Sequence, residues 1–437
     1  MIVVIGGGVA GLAAARTLAA QRAPYLVLER EAEPGGLCRS IRAGGYTFDM
    51  SGHFLHLSDS GMRERILALP GVAWRTVDRD ARIRLRGRLT PYPFQVHLAG
   101  HEKAFVRRCL RDFARERIRE AVEGEGTAPK HFAEWLLRRF GGAMCRAFFF
   151  PYNEKMWRWP LTAMTYEWTD WSVPVPRFED LLAGTRGELR SGMGYNPTFL
   201  YPRRGGMGAF VSALAGPMAG RLRTGTRAER LDLGRREIRT AQGERIRYGA
   251  LVATIPLPSL AAIAEGLPAG SREAAADLRW TRVLAINMGV RRPGRTPGHW
   301  IYVPEGRRSF FRVGFLSNVA PSTAPGGCVS LFVEKSFLPG EGIDVEREVR
   351  LALRGLRRMG VLTGRSRVEE IRPVVLDPAY VLFDRARAAA VPALRRAFER
   401  RGVFPAGRYG SWDYFGVGKA MADGIRAAGE AIRFHGR

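Results

Sequence analysis

The chain has 437 residues, of which 46% are hydrophobic and 25% are charged. This composition is typical of a soluble globular protein with two or three domains. Its formal charge is +27, and only five of the 69 basic residues are lysine. No basic run is interleaved with aromatic residues, which argues against nucleic-acid binding. The arginine excess fits a solvated basic surface, attraction for a polyanion such as an anionic membrane, or a small substrate that carries phosphate.

Four cysteines lie far apart, with no CxxC pair and no zinc-ligand spacing. We therefore expect free thiols, a reducing compartment and no metal site. No apolar run reaches the length of about 18 residues that predicts a membrane span. A strand follows Met1 directly, without the charged segment that begins a signal peptide. These features predict a cytoplasmic enzyme.

The first predicted elements form a strand–helix–strand unit over residues 2–29. Gly6, Gly8 and Gly11 follow the first strand with the GxGxxG spacing of dinucleotide-binding turns. Gly6 permits the tight turn, Gly8 lets the backbone approach a pyrophosphate, and Gly11 lets the helix pack closely on the strand. The start of the helix favours phosphate. Glu29 ends the second strand, where its carboxylate can accept hydrogen bonds from a ribose.

Further elements follow along the chain, as judged from hydrophobic periodicity and turn residues. They are an edge strand and turn in 80–98, helices in 101–150 with a break at 124–129, a β-meander in 220–255, strands in 280–335, an amphipathic helix in 346–359 and a terminal helix in 418–432. The dinucleotide unit opens the chain, and a second candidate flavin segment closes it. We therefore expect substrate elements inserted into a discontinuous cofactor domain.

The segment Glu33–Ser40, which reads EPGGLCRS, resembles the diglycine segment of the FAD-dependent amine oxidase and protoporphyrinogen oxidase superfamily. In that superfamily the segment runs beside the FAD pyrophosphate and ribityl chain. Gly407-Arg408, before the terminal helix, is similar to the superfamily's final FAD segment. Leu251–Pro256 resembles the strand before the second half of the fold, and Ala228 matches the position that meets adenine through its backbone.

The resemblance implies FAD as the cofactor and an α/β fold. The fold would comprise a Rossmann-type FAD-binding domain in three parts (residues 1–95, 191–256 and 386–437), a helical substrate or lid insertion (96–190) and a mixed α/β substrate domain rich in β-sheet (257–385). It assigns to FAD the residues Gly6, Gly8, Gly11, Glu29, Arg30, Gly35, Gly36, Arg39, Ser40, Gly205, Ala228, Gly407 and Arg408.

Four further segments resemble the UDP-galactopyranose mutases. These are the HxxH stretch with His53 and His56, the turn Tyr92–Gln95, the helix signature Tyr152–Trp157 and the diglycine segment Tyr201–Gly206. The mutases interconvert the pyranose and furanose rings of a nucleotide sugar, with N5 of reduced flavin as the nucleophile at the anomeric carbon. This resemblance implies a nucleotide-sugar substrate and an external reductant; a homodimer is compatible with the sequence.

The mutase resemblance also assigns substrate and catalytic roles. His53 and His56 would orient the flavin or exchange protons, and Arg312 would hold the diphosphate. Arg177, one position out of register, is the candidate for a second phosphate arginine. The other substrate residues would be Phe94, Trp157 and Tyr380.

The sequence departs from the mutase pattern in the residues around Arg312 and at two further places. Phe415-Gly416-Val417 stands where mutases have Tyr-Tyr-Asp-Met, and Ile371-Arg372-Pro373 replaces a Glu-Tyr-Pro segment. Two alternatives therefore stay open beside the mutase-like enzyme. One is an oxidase or desaturase acting on an amine or an apolar ring, which predicts an apolar tunnel. The other is a flavin-binding or membrane-surface protein without turnover, which predicts a blocked cavity.

Overall fold

The computed structural model describes residues 1–123, 128–169, 173–188, 197–218, 220–306 and 309–436. Twenty strands are present in this part of the chain. They are β1 (Ile2–Ile5), β2 (Tyr25–Leu28), β3 (Ser40–Ala43), β4 (Tyr46–Asp49), β5 (Trp74–Asp78), β6 (Ala81–Leu85), β7 (Arg88–Pro91), β8 (Thr198–Pro202), β9 (Leu222–Arg223), β10 (Ala228–Asp232), β11 (Glu237–Thr240), β12 (Arg245–Arg247), β13 (Ala250–Ala253), β14 (Ala264–Glu265), β15 (Trp280–Arg291), β16 (Trp300–Tyr302), β17 (Arg312–Phe315), β18 (Cys328–Phe337), β19 (Arg367–Val381) and β20 (Val403–Pro405).

Fourteen α-helices accompany these strands in the same described ranges. They are α1 (Val9–Ala20), α2 (Ser60–Leu67), α3 (Lys103–Glu123), α4 (Phe132–Met144), α5 (Phe150–Trp157), α6 (Phe178–Arg186), α7 (Gly206–Ala215), α8 (Leu257–Ile263), α9 (Ser271–Ala276), α10 (Leu316–Val319), α11 (Val345–Arg358), α12 (Arg385–Glu399), α13 (Gly407–Gly410) and α14 (Val417–His435). None of the helices described is long and apolar enough to cross a membrane.

A five-stranded parallel sheet in the order β20-β13-β1-β2-β9 forms the centre of the first layer. Strands β1, β2 and β13 are buried along their whole length, as their continuous apolar runs require. Helices α1 and α14 pack together on this sheet at very short range. A Cβ at Gly424 would lie 2.1 Å from the carbonyl oxygen of Ala10, so only glycine fits there.

A seven-stranded sheet in the order β19-β15-β18-β17-β16-β6-β7 forms the second layer. Helix α11 covers one of its faces through Ala352 and Leu356, which share an apolar cluster with Phe310 and with β15 and β18. Strands β6 and β7 belong to this sheet, although the sequence predicts that residues 1–95 belong to the FAD-binding domain. The order of strands places Glu334, Arg312 and Tyr302 side by side on neighbouring strands.

The helical segment α3–α6 packs against the seven-stranded sheet through α5 and β18. Its core is aromatic: the ring of Phe149 contacts those of Phe94, Phe140 and Phe148, and Phe94 also contacts Phe148. The predicted helices and the predicted β-meander, which is formed by β10, β11 and β12, are confirmed. The predicted break at 124–129 falls between α3 and α4, and residues 124–127 lie outside the described part of the chain.

Candidate active site

A cavity of about 1040 Å³ lies between the parallel sheet and the seven-stranded sheet. Segments that are far apart in sequence converge on it. Fourteen of the residues singled out from the sequence line its wall: Gly6, Gly8, Glu29, Arg30, Gly35, Gly36, Arg39, His53, His56, Ala228, Arg312, Tyr380, Gly407 and Arg408. The two glycine segments at opposite ends of the chain therefore face the same space.

The glycine turn after β1 leaves one end of this cavity open to a phosphate group. A Cβ at Gly8 would meet no protein atom within 4 Å, whereas a Cβ at Gly11 would lie 1.9 Å from the carbonyl oxygen of Gly6. Helix α1 begins with Gly8 as its N-cap, without a side-chain hydrogen bond to its first amides. Its free N–H groups and positive dipole end are thus available to an anion.

The carboxylate of Glu29 closes the same end of the cavity. It accepts hydrogen bonds from the backbone N–H of Gly7 at 2.6 Å and of Glu31 at 2.9 Å. Each carboxylate oxygen can accept more than one hydrogen bond, so capacity remains for a ribose diol. Ala228 begins β10 and lines the wall beside Thr226, whose N–H donates to the Glu29 carbonyl at 2.7 Å.

Gly407 and Arg408 approach the cavity from the other end of the chain. Gly407 has a φ of 77°, and a Cβ there would lie 2.6 Å from the Cβ of Ala10, so glycine is required. Arg408 donates to the carbonyl oxygens of Phe415 at 2.7 Å and Ala379 at 3.1 Å. With the uncapped helix, the open wall at Gly8 and the available Glu29 oxygens, this arrangement fits a dinucleotide that ends beside Arg408.

Arg312 and Glu334 form a buried ion pair in the cavity wall. The two Arg312 nitrogens Nε and Nη2 donate to the two carboxylate oxygens, with 2.8 Å between Nη2 and Oε1. The Glu334 side chain is 1% exposed and that of Arg312 is 18% exposed. The hydroxyl of Ser51 donates to the same carboxylate. Burial alone would lower the pKa of Arg312, but the facing Glu334 carboxylate raises it well above its usual value.

His53 lies against this ion pair. Its Nδ1 is 3.3 Å from the carbonyl oxygen of Ser51, which can only accept, so Nδ1 carries the ring proton and Nε2 is an acceptor. Burial, together with the positive charges of Arg408 and Arg312, lowers the pKa of His53 to about 4. The ring is therefore neutral near pH 7.

His56, two residues after Phe54 in the sequence, is also buried beside a positively charged arginine. Burial and the neighbouring charge of Arg79 lower its pKa to about 4. Its ring packs edge-on against Phe199, with 5.4 Å between the centroids. His56 is consequently also a neutral imidazole at the cavity wall near pH 7.

Three tyrosines surround the guanidinium of Arg408. The Arg408 carbon Cζ lies 4.6 Å from the ring of Tyr414, 5.6 Å from that of Tyr380 and 5.7 Å from that of Tyr409. Burial raises the pKa of the Tyr380 hydroxyl above its ordinary value, so this group is a neutral donor and acceptor.

Six of the predicted residues do not line the cavity: Gly11, Ser40, Phe94, Trp157, Arg177 and Gly205. The hydroxyl of Ser40 donates to Asp49 at 2.6 Å and accepts from the N–H of Gly208, and Gly205 is the N-cap of α7. These two residues hold the start of α7 behind the cofactor wall. Arg177 is exposed and caps α6.

The aromatic residues Phe94 and Trp157 are fully buried in the core. Phe94 contacts Phe148 and Phe149. The Trp157 ring packs edge-on against Tyr380, with 5.7 Å between centroids, and its Nε1 donates to Asn153 at 3.0 Å. Trp157 thus stands directly behind a residue of the cavity wall.

Sequence reasoning missed three residues that shape the site. Glu334 pairs with Arg312, and Arg79 lines the cavity. Lys155 donates to the carbonyl oxygens of Val303 at 2.8 Å, Glu305 at 3.1 Å and Phe310 at 2.7 Å, so it holds the chain that leads into β17. The signature around Trp157 contains Lys155, but the spacing of that signature does not reveal which distant strand the lysine meets.

The sequence model of the family described as flavin containing amine oxidoreductase matches residues 9–432. The chain belongs to this family. FAD is the cofactor of this flavoenzyme family, in agreement with the cavity between the two glycine segments.

Solved structures with the same fold include that of a reduced UDP-galactopyranose mutase. It is 25% identical, with a TM-score of 0.90 over 99% of this chain and 93% of that chain. Cyclohexylamine oxidase from Brevibacterium oxydans IH-35A is 16% identical, with a TM-score of 0.72 over 100% of this chain and 99% of that chain.

A curated relative is an uncharacterised protein encoded in the nifH2 3′ region of Methanothermococcus thermolithotrophicus. It is 42% identical over 66 residues, which are 15% of this chain and 64% of that protein.

Proposed function

We propose that this flavoenzyme is a UDP-galactopyranose mutase-like enzyme that rearranges the ring of a nucleotide sugar. The observation that carries the proposal is the ion pair of Arg312 and Glu334 in the wall of the FAD cavity, next to His53 and Tyr380. A charged, hydrogen-bonding wall suits a phosphate-bearing substrate better than an amine or an apolar ring. The likeness to the reduced mutase, with a TM-score of 0.90, supports the same class of reaction.

Bound FAD, once reduced, would supply N5 as the nucleophile at the anomeric carbon. Arg312 would hold the diphosphate leaving group through Nη1, since Nε and Nη2 are engaged with Glu334. Glu334 would orient the guanidinium plane, because a bidentate pair fixes both position and rotation. The diphosphate would thereby be held in place both before and after it leaves the sugar.

His53 and Tyr380 would handle the protons of the sugar. The unprotonated Nε2 of neutral His53 can accept a hydrogen bond from a sugar hydroxyl, and its lowered pKa makes it a weak base rather than a permanent cation. The Tyr380 hydroxyl can donate to a phosphate oxygen. Trp157 would fix Tyr380 from behind, and Phe94 would support the helical wall through Phe148.

The test uses purified holoprotein, reduced with dithionite and mixed with UDP-galactopyranose or UDP-galactofuranose. Chromatography should show interconversion of the two sugars with the reduced protein and none with the oxidised protein. The variant Arg312→Lys keeps a positive charge but loses the fork geometry, so it should bind UDP more weakly while retaining FAD. Absence of both interconversion and UDP binding in fully flavinated protein would reject the proposal.

An oxidase of an amine or an apolar ring is the second candidate. It is favoured by the aromatic part of the cavity wall, where Phe54 stacks on Trp300 with 5.1 Å between centroids. This candidate predicts that a panel of amines and cyclic substrates reduces the flavin and that oxygen is then consumed. Oxygen consumption, measured with an oxygen electrode on the same holoprotein, therefore distinguishes the two candidate functions.

A further inference from the structure

The charge of Arg312 is already balanced by Glu334 before any substrate enters. Glu334 accepts both hydrogen bonds of the Arg312 fork and is itself buried. A diphosphate would bring additional negative charge into this partly enclosed cavity. A buried charge is tolerated only when it is paired, so a further cation is needed within reach of the phosphates.

Arg79 is a cation in the cavity wall that the family resemblance does not assign to FAD. It follows β5, and no carboxylate in the described part of the chain forms an ion pair with it. Its guanidinium lies over the ring of Tyr92, with 4.7 Å from Cζ to the centroid. Stacking occupies the face of a guanidinium and leaves the N–H groups at its edge free to donate.

An aromatic wall formed by Tyr92, Trp300 and Tyr302 connects Arg79 to Arg312. Tyr302 is the register partner of Arg312 on the neighbouring strand, and its ring is 5.4 Å from that of Tyr92. Trp300 lies two residues earlier on β16, edge-on to Tyr302 at 6.5 Å. All three rings line the same cavity as both arginines.

We infer that Arg79 is a second anion-binding arginine of the substrate site, and that it recognises a nucleoside diphosphate lying along the aromatic wall. The inference rests on the proposed function. Arg177, the arginine that the sequence suggested for this role, is exposed at the start of α6 and does not line the cavity. Arg79 supplies the missing charge, while the rings offer stacking surface to the nucleoside.

The experiment titrates UDP and, separately, uridine into wild-type holoprotein and the variants Arg79→Gln, Arg79→Lys and Arg65→Gln by calorimetry. Arg65 is an exposed residue of α2 outside the cavity, so Arg65→Gln controls for the change in net charge. The flavin content and unfolding temperature of each variant are measured in parallel.

We expect Arg79→Gln to weaken UDP binding about 10- to 100-fold, the loss of a charge-assisted hydrogen bond. Uridine binding should change little, Arg79→Lys should restore part of the UDP affinity, and Arg65→Gln should match the wild type. Equal weakening of UDP and uridine would assign Arg79 a structural role and overturn the inference. Unchanged UDP binding in Arg79→Gln would overturn it while leaving the mutase-like function intact, whereas wild-type protein that binds no UDP would remove both.

Discussion

Arg312 and Glu334 face each other across β17 and β18 and share two hydrogen bonds in a pair whose carboxylate is almost completely buried. The strand register alone brings them together, because 21 residues separate them along the chain. The pair therefore links the stability of the second sheet to the geometry of the candidate active site.

Replacing one member of this pair should be more harmful than replacing both. Arg312→Met leaves Glu334 buried with Ser51 as its remaining side-chain partner among the described residues, and we expect a loss of about 3–5 kcal/mol in the free energy of unfolding. The double variant Arg312→Met/Glu334→Met should lose markedly less, since no buried charge remains unpaired. Denaturant unfolding of the wild type, the two single variants and the double variant measures the coupling free energy between Arg312 and Glu334. Additive losses of stability would contradict the conclusion that the two side chains form a buried ion pair.

Substitutions of Gly8 and Gly11 should show which of these glycines is needed for cofactor binding and which for folding. Gly8 has a φ of −73° and open space at its Cβ position, so Gly8→Ala should change the stability of the apoprotein by no more than about 0.5 kcal/mol. The new methyl group would project where the phosphates approach, and flavin occupancy should fall. Gly11→Ala should destabilise the apoprotein by about 1–3 kcal/mol or more, because its Cβ would overlap the Gly6 carbonyl.

The comparison of these glycine variants uses thermal unfolding without FAD and flavin absorbance after reconstitution. Gly8→Ala protein that takes up FAD as well as the wild type would place the phosphates elsewhere. Gly11→Ala protein with unchanged stability would mean that α1 can move away from β1 at little cost.

Sequence could predict the parts of the site that depend on local geometry. Gly6 and Gly8 lie between β1 and α1, Gly11 lies in the first turn of α1, and Gly407 begins α13 shortly after β20. Such turns require glycine for steric reasons that can be read from spacing. The family resemblance then supplied FAD, which the glycine spacing by itself does not distinguish from NAD.

The rest of the site depends on which strands pair and which way side chains point. Glu334 pairs with Arg312, and Arg79 lines the same cavity, only because the strands follow the order β18-β17-β16-β6, and no local pattern gives that order. Trp157 lies on a helix with aromatic residues on several sides, so the sequence could not show that it faces the core behind Tyr380. Side-chain direction on such a helix is decided by tertiary packing.

Lys155 should control the position of Arg312 without touching the cofactor. Its three hydrogen bonds to the carbonyl oxygens of Val303, Glu305 and Phe310 hold the segment before β17. We expect Lys155→Met to weaken UDP binding about tenfold, while FAD content stays near that of the wild type. Lys103→Met, at an exposed position of α3, is the matched control and should leave both unchanged. A loss of FAD equal to the loss of UDP affinity would indicate general misfolding instead.

Neutral His53 should make the folded protein sensitive to acid. Its pKa is about 4 in the folded state and 6.5 as the ordinary value. Between these two values the unfolded chain binds a proton that the folded protein does not, so stability falls as pH decreases through this window. The contribution is complete above about pH 6.5 and is lost progressively down to about pH 4.

The variant His53→Gln removes this titration and keeps a polar side chain. Between pH 7 and pH 5 the wild-type holoprotein should lose about 2 kcal/mol more unfolding free energy than the variant. Comparing the two proteins cancels the pH-dependent contributions of groups that both contain. One of these groups is Asp49, whose buried carboxyl has a pKa raised to about 6 and therefore changes stability with pH in the opposite sense. Denaturant unfolding at several pH values gives the difference directly. Parallel pH profiles for the two proteins would show that His53 is solvated or already charged in the folded state, and would remove it as a neutral acceptor in the site.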